Sequence, residues 1–274
     1  MTDRLRRVFR NAFQSFGARR FGVAFTRAYL RFAFRASRQW GSATPGTMRF
    51  LGRRIAYPNQ AHAVFLVHEL FVNGAYAFEA SGRAPRVIDA GANIGMAVVF
   101  FKALYPDAVV TAYEPDPDTF AMLTRTVADN AMRGVELVNA AVGERVGAAT
   151  LYTDADPSGS ITASFDRAWG GPVGRPVRVV RLSDEIDGPV DFLKLDVEGA
   201  EYGVVRDLVA TGRIAMIREA VIEFHPVESE PDGLSAMARA LGAAGMTVTI
   251  TADRDRPGTG LLRASRVRAA ARGW

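Results

Sequence analysis

The chain has 274 residues, 49% hydrophobic and 23% charged, enough for one large globular domain with or without an extension. It contains no cysteine, which excludes disulfides, thiolate metal sites and a cysteine nucleophile, and its three histidines leave little scope for a histidine-rich metal site. The net charge of +5 is uneven: ten arginines and the single acid Asp3 fall in the first 40 residues, so the remainder is net acidic.

Leu5, Phe9, Ala12, Phe13 and Phe16, then Phe21, Phe25, Tyr29 and Phe32, recur at helical spacing with arginines between them. The pattern predicts a basic amphipathic helix or helix pair over residues 1–46, ended by "GSATPG". Such a helix either packs its aromatics on a following domain or lies on an anionic membrane surface through residues 1–40. A transit peptide is a third reading. No run of about 18 apolar residues, the length a spanning helix needs, is present.

The rest, residues 47–274, reads as alternating strands and helices. Residues 48–57 form a strand pair and 59–72 a helix ending at Asn73-Gly74. A strand over Arg86–Ala90 runs into a glycine loop and a helix to Tyr105. A strand over 108–114 is followed by a helix from Asp118 to Asn130 with an aspartate cap, and "VELVNAAV" is a third strand. Further strands fall at 148–154, 176–186 (a strand and turn), within 191–201, and at 216–225, 246–253 and 260–266, with helices at 201–210 and 234–244. This order predicts a doubly wound, largely parallel α/β sheet.

In "VIDAGANIG", a strand ends at Asp89, Gly91 allows a tight turn and Gly95 lets a helix start close to ligand and sheet. Glu114 closes the next strand, where a carboxylate can hold the two hydroxyls of a ribose. The dinucleotide spacing G-x-G-x-x-G is not met, because Asn93 stands at its second glycine. Acids around the loop suit the cationic S-adenosylmethionine; a nicotinamide cofactor and an empty structural turn stay as alternatives.

"DFLKLDVEGAE" (191–201) is the other informative stretch. Leu193, Leu195 and Val197 share one parity and Lys194, Asp196 and Glu198 the other, so one face of the strand is apolar and the other ionic. Glu201 reads as an acid in the first turn of the next helix, favoured by the helix dipole. His62 and His68 read as packing or surface residues.

With "AYEPDPDTF", "VELVNAAVGE", "HELFVNGAY" and "VIEFH", these stretches resemble the FkbM family of S-adenosylmethionine-dependent methyltransferases over residues 66–226. The K-x-D-x-E-G-A-E string is the most specific part. The resemblance implies a class I methyltransferase fold (Rossmann-like) with a mostly parallel seven-stranded sheet carrying one antiparallel strand at its end. It implies O-methylation of a hydroxyl on a sugar, glycan or secondary metabolite. The expected setting is cytoplasmic, with no nucleic-acid partner and with membrane-surface attachment through the basic N-terminus as a variant. By position, Asp89, Gly91, Ala92, Asn93 and Gly95 match the cofactor loop, Glu114 the ribose acid, and Asn139 and Ala140 the adenine edge. Asp196 and Glu198 match acids near the methionine end, and His225 a polar position after the fifth strand.

A high-pKa hydroxyl needs a base or a stabilising cation. Asp196 is expected to position the cofactor or the hydroxyl, Glu198 or His225 to act as base, and Lys194 to pair with an acid. Two carboxylates and an imidazole are chemically sufficient for a metal, but the expectation is a metal-free site. The acceptor pocket is expected from residues 1–60 and 155–176. A nicotinamide-dependent oxidoreductase and a non-catalytic cofactor-binding protein are the rival functions.

Overall fold

The computed structural model describes residues 3–38, 44–153, 164, 165, 167–253 and 256–266. Helices α1 (Asp3–Gln14) and α2 (Phe16–Arg38) open the chain, with α2 kinked at Gly22, whose φ is 57°. Four of their aromatics, Phe16, Phe25, Tyr29 and Phe32, are buried, whereas Phe34 is exposed. Phe16 packs on Phe100, Phe25 and Phe32 meet Phe50 edge-on, and Phe21 lies against Phe71. The packing reading of this amphipathic pattern therefore holds for that stripe. Phe13, expected on it, is 59% exposed.

Strands β1 (Gly46–Phe50) and β2 (Arg53–Tyr57) form a hairpin whose turn residues Leu51 and Gly52 both have positive φ, the geometry that matches strand twist in a two-residue loop. Helix α3 (Gln60–Val67) is capped by Asn59, whose side chain accepts from His62 N, and continues as a π-helical turn over His68–Asn73 ended by left-handed Gly74.

The main α/β unit follows in order: β3 (Arg86–Ala90), α4 (Met96–Leu104), β4 (Val109–Tyr113), α5 (Pro117–Asp129) and β5 (Val135–Val138). Next come β6 (Ala141–Gly143), β7 (Gly147–Thr153), α6 (Arg167–Gly170), β8 (Val173–Arg181) and α7 (Leu182–Glu185). The chain then runs through β9 (Val190–Leu195), α8 (Glu201–Ala210), β10 (Ile217–Phe224), α9 (Gly233–Ala243), β11 (Thr247–Ala252) and β12 (Gly260–Ser265).

Seven strands form one sheet in the order β11-β12-β10-β9-β3-β4-β5. Strand β12 is antiparallel to both its neighbours, and the other pairings are parallel. This is the expected doubly wound, mostly parallel sheet. The antiparallel strand is inserted second from the edge. The direction of winding reverses between β3 and β9, which pair Asp89 with Lys194 and Ala90 with Leu195. Ligands bind at the carboxyl ends of strands flanking such a reversal.

Two expectations change in detail. "VELVNAAV" is two strands, because the chain turns at Asn139-Ala140 and β6 leaves the main sheet to pair with β8 in a three-stranded sheet, order β6-β8-β7. The cap of α5 is Asp116, whose Oδ1 accepts from Asp118 N and Thr119 N; Pro117 then takes the first helical position, where its missing N–H costs nothing.

Two apolar layers cover the faces of the sheet. Phe192 joins Phe78 and Phe101 on the α4 side, and Leu193 and Leu195 join Val204, Val205 and Leu208 of α8 on the other. The alternation along β9 is therefore real, but both faces are packed. Lys194 shares the face of Phe192 and is buried beneath the Tyr76 ring, 5.3 Å from its centroid.

Candidate active site

Where β3 and β9 end, two cavities meet. Gly91, Asn93, Asp196 and Glu198 line both. The first continues along Glu114, Pro115, Thr119 and Ala140–Val142. The second continues between α3 and β10, along His62, Phe65, Glu69, Tyr76, Glu223 and Arg256.

The loop between them is held tightly. Gly91 has φ 85°, and a Cβ there would lie 1.8 Å from the backbone oxygen of Asp196, so no side chain fits. Asp196 N donates to Ala90 O at 3.0 Å, and Gly91 N and Ala92 N both donate to Tyr113 O. Ala92 is buried on the second cavity's wall. Asn93 adopts φ 51°, and its Oδ1 accepts from Ile94 N at 2.8 Å and from His62 Nε2 at 2.9 Å. Gly95 lines neither cavity. A Cβ there would meet Leu123 Cδ1 at 2.8 Å, so this glycine lets α4 lie against α5.

Glu114 is buried, and burial pushes its carboxyl up to about 7 despite the amides that donate to it. Its Oε2 accepts from Asn93 N and its Oε1 from Asp116 N, each at 2.9 Å. A carboxylate has about four acceptor sites, so capacity remains for two hydroxyls. Asn139 is exposed and braces the loop, donating from Nδ2 to Glu114 O at 2.9 Å and Pro115 O at 3.1 Å; Ala140 supplies the adjoining wall.

Lys194 divides its donors between Gly91 O at 2.6 Å and Asp196 Oδ2 at 3.2 Å, and stands 3.5 Å from Asp89 Oδ1. Burial works against its charge, but Asp196 and Asp89 outweigh it and raise the ammonium pKa. The expected pairing of Lys194 with an acid is present, with two acids. Asp89 is fully buried, and among the described residues neither of its oxygens has a hydrogen-bond donor. The 3.5 Å approach of Lys194 is a charge contact beyond good hydrogen-bond length.

The segment after β9 does not keep the strand's alternation. Glu198 sits at φ 55° and Gly199 at φ 108°, and this turn carries the Glu198 carboxylate to His225, Oε2 to Nε2 3.4 Å. The other ring nitrogen, Nδ1, donates to Glu201 Oε1 at 2.9 Å. Glu201 is fully buried and also accepts from Val197 N and Gly199 N, so it clamps the turn and the imidazole as well as opening α8. Burial lowers the His225 pKa, but the Glu201 hydrogen bond and the charges of Glu201, Glu198 and Asp196 exceed it and carry it up to about 10. A carboxylate at each ring nitrogen thus favours the protonated ring, so His225 would have to shed its Nε2 proton before it could serve as base. Asp196, Glu198 and His225 do converge, with one ligand atom from each within 4.8 Å of the others.

Several cavity residues were not expected at the site, His62 among them, which read as a packing or surface residue. His62 is buried at the site; desolvation lowers its pKa to about 4, and its partner is Asn93 of the loop. Glu69 is pushed up to about 8 by burial and by the charges of Glu223 and Asp196. Glu223 accepts from Tyr76 Oη at 3.3 Å and from Arg256 at 3.2 Å. The second cavity thus draws its wall from 62–76, 223 and 256, whereas the acceptor pocket was expected from 1–60 and 155–176. Residues 154–163 lie outside the described ones, and Phe165 lines the first cavity. A signal for Glu223 was present: it shares the parity of His225 in a core strand.

The residues fit S-adenosylmethionine. Glu114 has acceptor capacity where a ribose would sit, Asp89 is a buried acid without a donor beneath the loop, and the surrounding acids suit a cationic cofactor. The profile of a family described as "Methyltransferase FkbM domain" matches residues 89–245. The chain is 29% identical over 215 residues to Methyltransferase sdnD of Sordaria araneosa, covering 67% of this chain and 81% of that protein. It is 28% identical over 237 residues to 31-O-demethyl-FK506 methyltransferase FkbM of Streptomyces tacrolimicus, covering 74% and 88%. Among solved structures, Methyltransferase FkbM from Methylobacillus flagellatus KT superposes with a TM-score of 0.47 at 14% identity, over 91% of this chain and 62% of that one. The match of most of the α/β unit to a methyltransferase profile sets aside the nicotinamide alternative, and the chain belongs to the FkbM methyltransferase family, whose methyl donor is S-adenosylmethionine.

Proposed function

We propose that the protein methylates a hydroxyl of a sugar, glycan or secondary metabolite, at the border between its two cavities. The observation that carries this reading is that a cavity suited to the cofactor and a second, partly apolar chamber share Gly91, Asn93, Asp196 and Glu198. Glu114 holds the ribose and Asp89, with Lys194, sets the charge beneath the methionine end. When bound, the cofactor supplies a methyl group already activated by its sulfonium. The protein's task is to bring the acceptor oxygen in line, which is positional catalysis. Asp196, oriented by Lys194, and Glu198 present carboxylates at that border, and they are the acceptors in reach of the hydroxyl's proton.

Release of S-adenosylhomocysteine, followed across a panel of hydroxylated metabolites, should identify acceptors. Asp196→Asn and Glu198→Gln should each lower turnover by about 100-fold or more while changing cofactor affinity little. Full activity in both, or a methyl found on nitrogen or carbon, would overturn the reading.

A second reading concerns location. With Phe16, Phe25, Tyr29 and Phe32 buried, Arg7, Arg10, Arg19, Arg20, Arg27, Arg31 and Arg35 remain exposed, together with Phe13 and Phe34. We infer peripheral contact of this face with an anionic membrane, of order 1 kcal/mol per basic side chain. Vesicles of phosphatidylcholine and phosphatidylglycerol should co-sediment the protein at low salt and release it at high salt. Equal recovery on neutral phosphatidylcholine vesicles ends this reading.

A further inference from the structure

We propose that Asp196, Glu198 and His225 form a binding site for a first-row divalent cation, at the border between the cofactor cavity and the acceptor chamber. One carboxylate oxygen from each acid and one imidazole nitrogen all lie within 4.8 Å of one another. His225 Nε2 and Glu198 Oε2 are 3.4 Å apart. Donors at about 2.0–2.2 Å from one ion stand roughly 3 Å from each other, so closure on a cation needs only small side-chain shifts.

An acidic patch alone would not make a site. Here one donor is an imidazole, and it is oriented from outside the triad. Glu201, fully buried and anchored by the amides of Val197 and Gly199, accepts the Nδ1 hydrogen. That holds a proton on Nδ1 and turns Nε2 toward the two carboxylates, where a bound cation would take the place of the Nε2 proton. A carboxylate bound to the far nitrogen is the usual outer partner of a metal-bound histidine, where it sets ring orientation and ligand basicity.

The neighbouring charges leave room for the ion. Lys194 holds Asp196 through Oδ2 and leaves Oδ1 free of that contact. Glu223 lies 3.9 Å from His225 Nε2 but is engaged by Arg256 and Tyr76, so it borders the site as a further acid. Glu69 faces the same chamber. Mixed imidazole and carboxylate donors suit manganese, iron or zinc, and geometry and availability choose among them. An ion here would stand beside the acceptor oxygen and favour its alkoxide as a Lewis acid. The binding itself does not depend on methyl transfer.

The test uses the full chain, stripped with chelator and titrated with Mn2+ in the presence of S-adenosylhomocysteine. Loss of the free Mn2+ paramagnetic resonance signal counts the bound ions. One ion per chain is expected, with affinity reduced at least tenfold in Asp196→Asn and in His225→Ala. Glu201→Gln, a positioning change, should weaken binding by roughly 10- to 100-fold. Retained S-adenosylhomocysteine binding shows that each variant is folded, and Glu144→Gln serves as a remote acidic control. No bound Mn2+, or equal binding in wild type and all triad variants, overturns the site. Mn2+ binding without methylation of any hydroxyl would leave the site standing and remove the proposed function; hydroxyl methylation without Mn2+ binding would do the reverse.

Discussion

The two cavities are built in opposite ways. The cofactor cavity is backbone-rich: a glycine loop, amides on Glu114 and the small residues Ala140 and Ala141, all at ends of neighbouring strands. The second cavity, the proposed acceptor chamber, is built of side chains reaching in from α3, the π-helical turn, β10 and the loop holding Arg256. Backbone contacts tolerate little change, whereas a side-chain wall can be rebuilt without disturbing the frame. Mutations on the first side should therefore cost folding and cofactor together, and mutations on the second should change acceptor use alone.

The largest effect belongs to Gly91→Ala. The added carbon would overlap the Asp196 carbonyl at a backbone conformation unfavourable to alanine. Strain and overpacking together should cost about 2–6 kcal/mol. Thermal unfolding should show a large drop, and calorimetry no S-adenosylhomocysteine binding. A stable, cofactor-binding Gly91→Ala protein would break the contrast at its firmest point.

Lys194→Met comes next. It leaves Asp89 and Asp196 without their shared cation. Removing one partner of a buried pair costs about 3–5 kcal/mol. Adding Asp89→Asn should recover part of the loss, measured by denaturant unfolding; no recovery would mean that Lys194 acts chiefly through Gly91 O.

Glu114 gives a smaller effect, dependent on pH. Burial raises its carboxyl from 4.5 to about 7 in the folded protein. Between those values the native state holds a proton that the unfolded chain has released. Its contribution to stability is therefore present at low pH and is lost as pH rises through this window. Cofactor affinity should move the other way, since ribose hydroxyls donate to the ionised form. Glu114→Gln should weaken S-adenosylhomocysteine binding by roughly 10- to 100-fold above the midpoint, less below it, and flatten both profiles. Parallel wild-type and variant profiles would show that another group titrates.

The same contrast explains what could be read in advance. Asp89, Gly91 and Glu114 were legible because each stands at or beside a strand end, where an acid needs a partner and a glycine marks a tight turn. Lys194 and Asp196 were legible from alternation. Glu198 was placed at the site by an argument that does not hold: β9 ends at Leu195, and a left-handed turn, not the pleat, brings its carboxylate in. Asn139 was expected beside adenine, yet its amide spends its donors on the loop backbone. His62 looked like a packing residue because its partner, Asn93, is 31 positions away. Glu69 was invisible because a period of 3.6 cannot register a π-helical turn, and such turns often occur at functional sites.

Glu69 also supplies the smallest and most discriminating prediction. It lines the second cavity and not the first, and burial, with the charges of Glu223 and Asp196, already favours a neutral carboxyl. Glu69→Gln, similar in shape, should leave thermal stability within about 0.5 kcal/mol of wild type and leave cofactor affinity unchanged. Against an acceptor found by the S-adenosylhomocysteine release screen, it should raise KM with little change in kcat, the signature of lost uniform binding. If cofactor affinity fell instead, the two cavities would be coupled through Asp196, one of the two acids that line both. The division between a backbone-built and a side-chain-built cavity would then describe construction but not function.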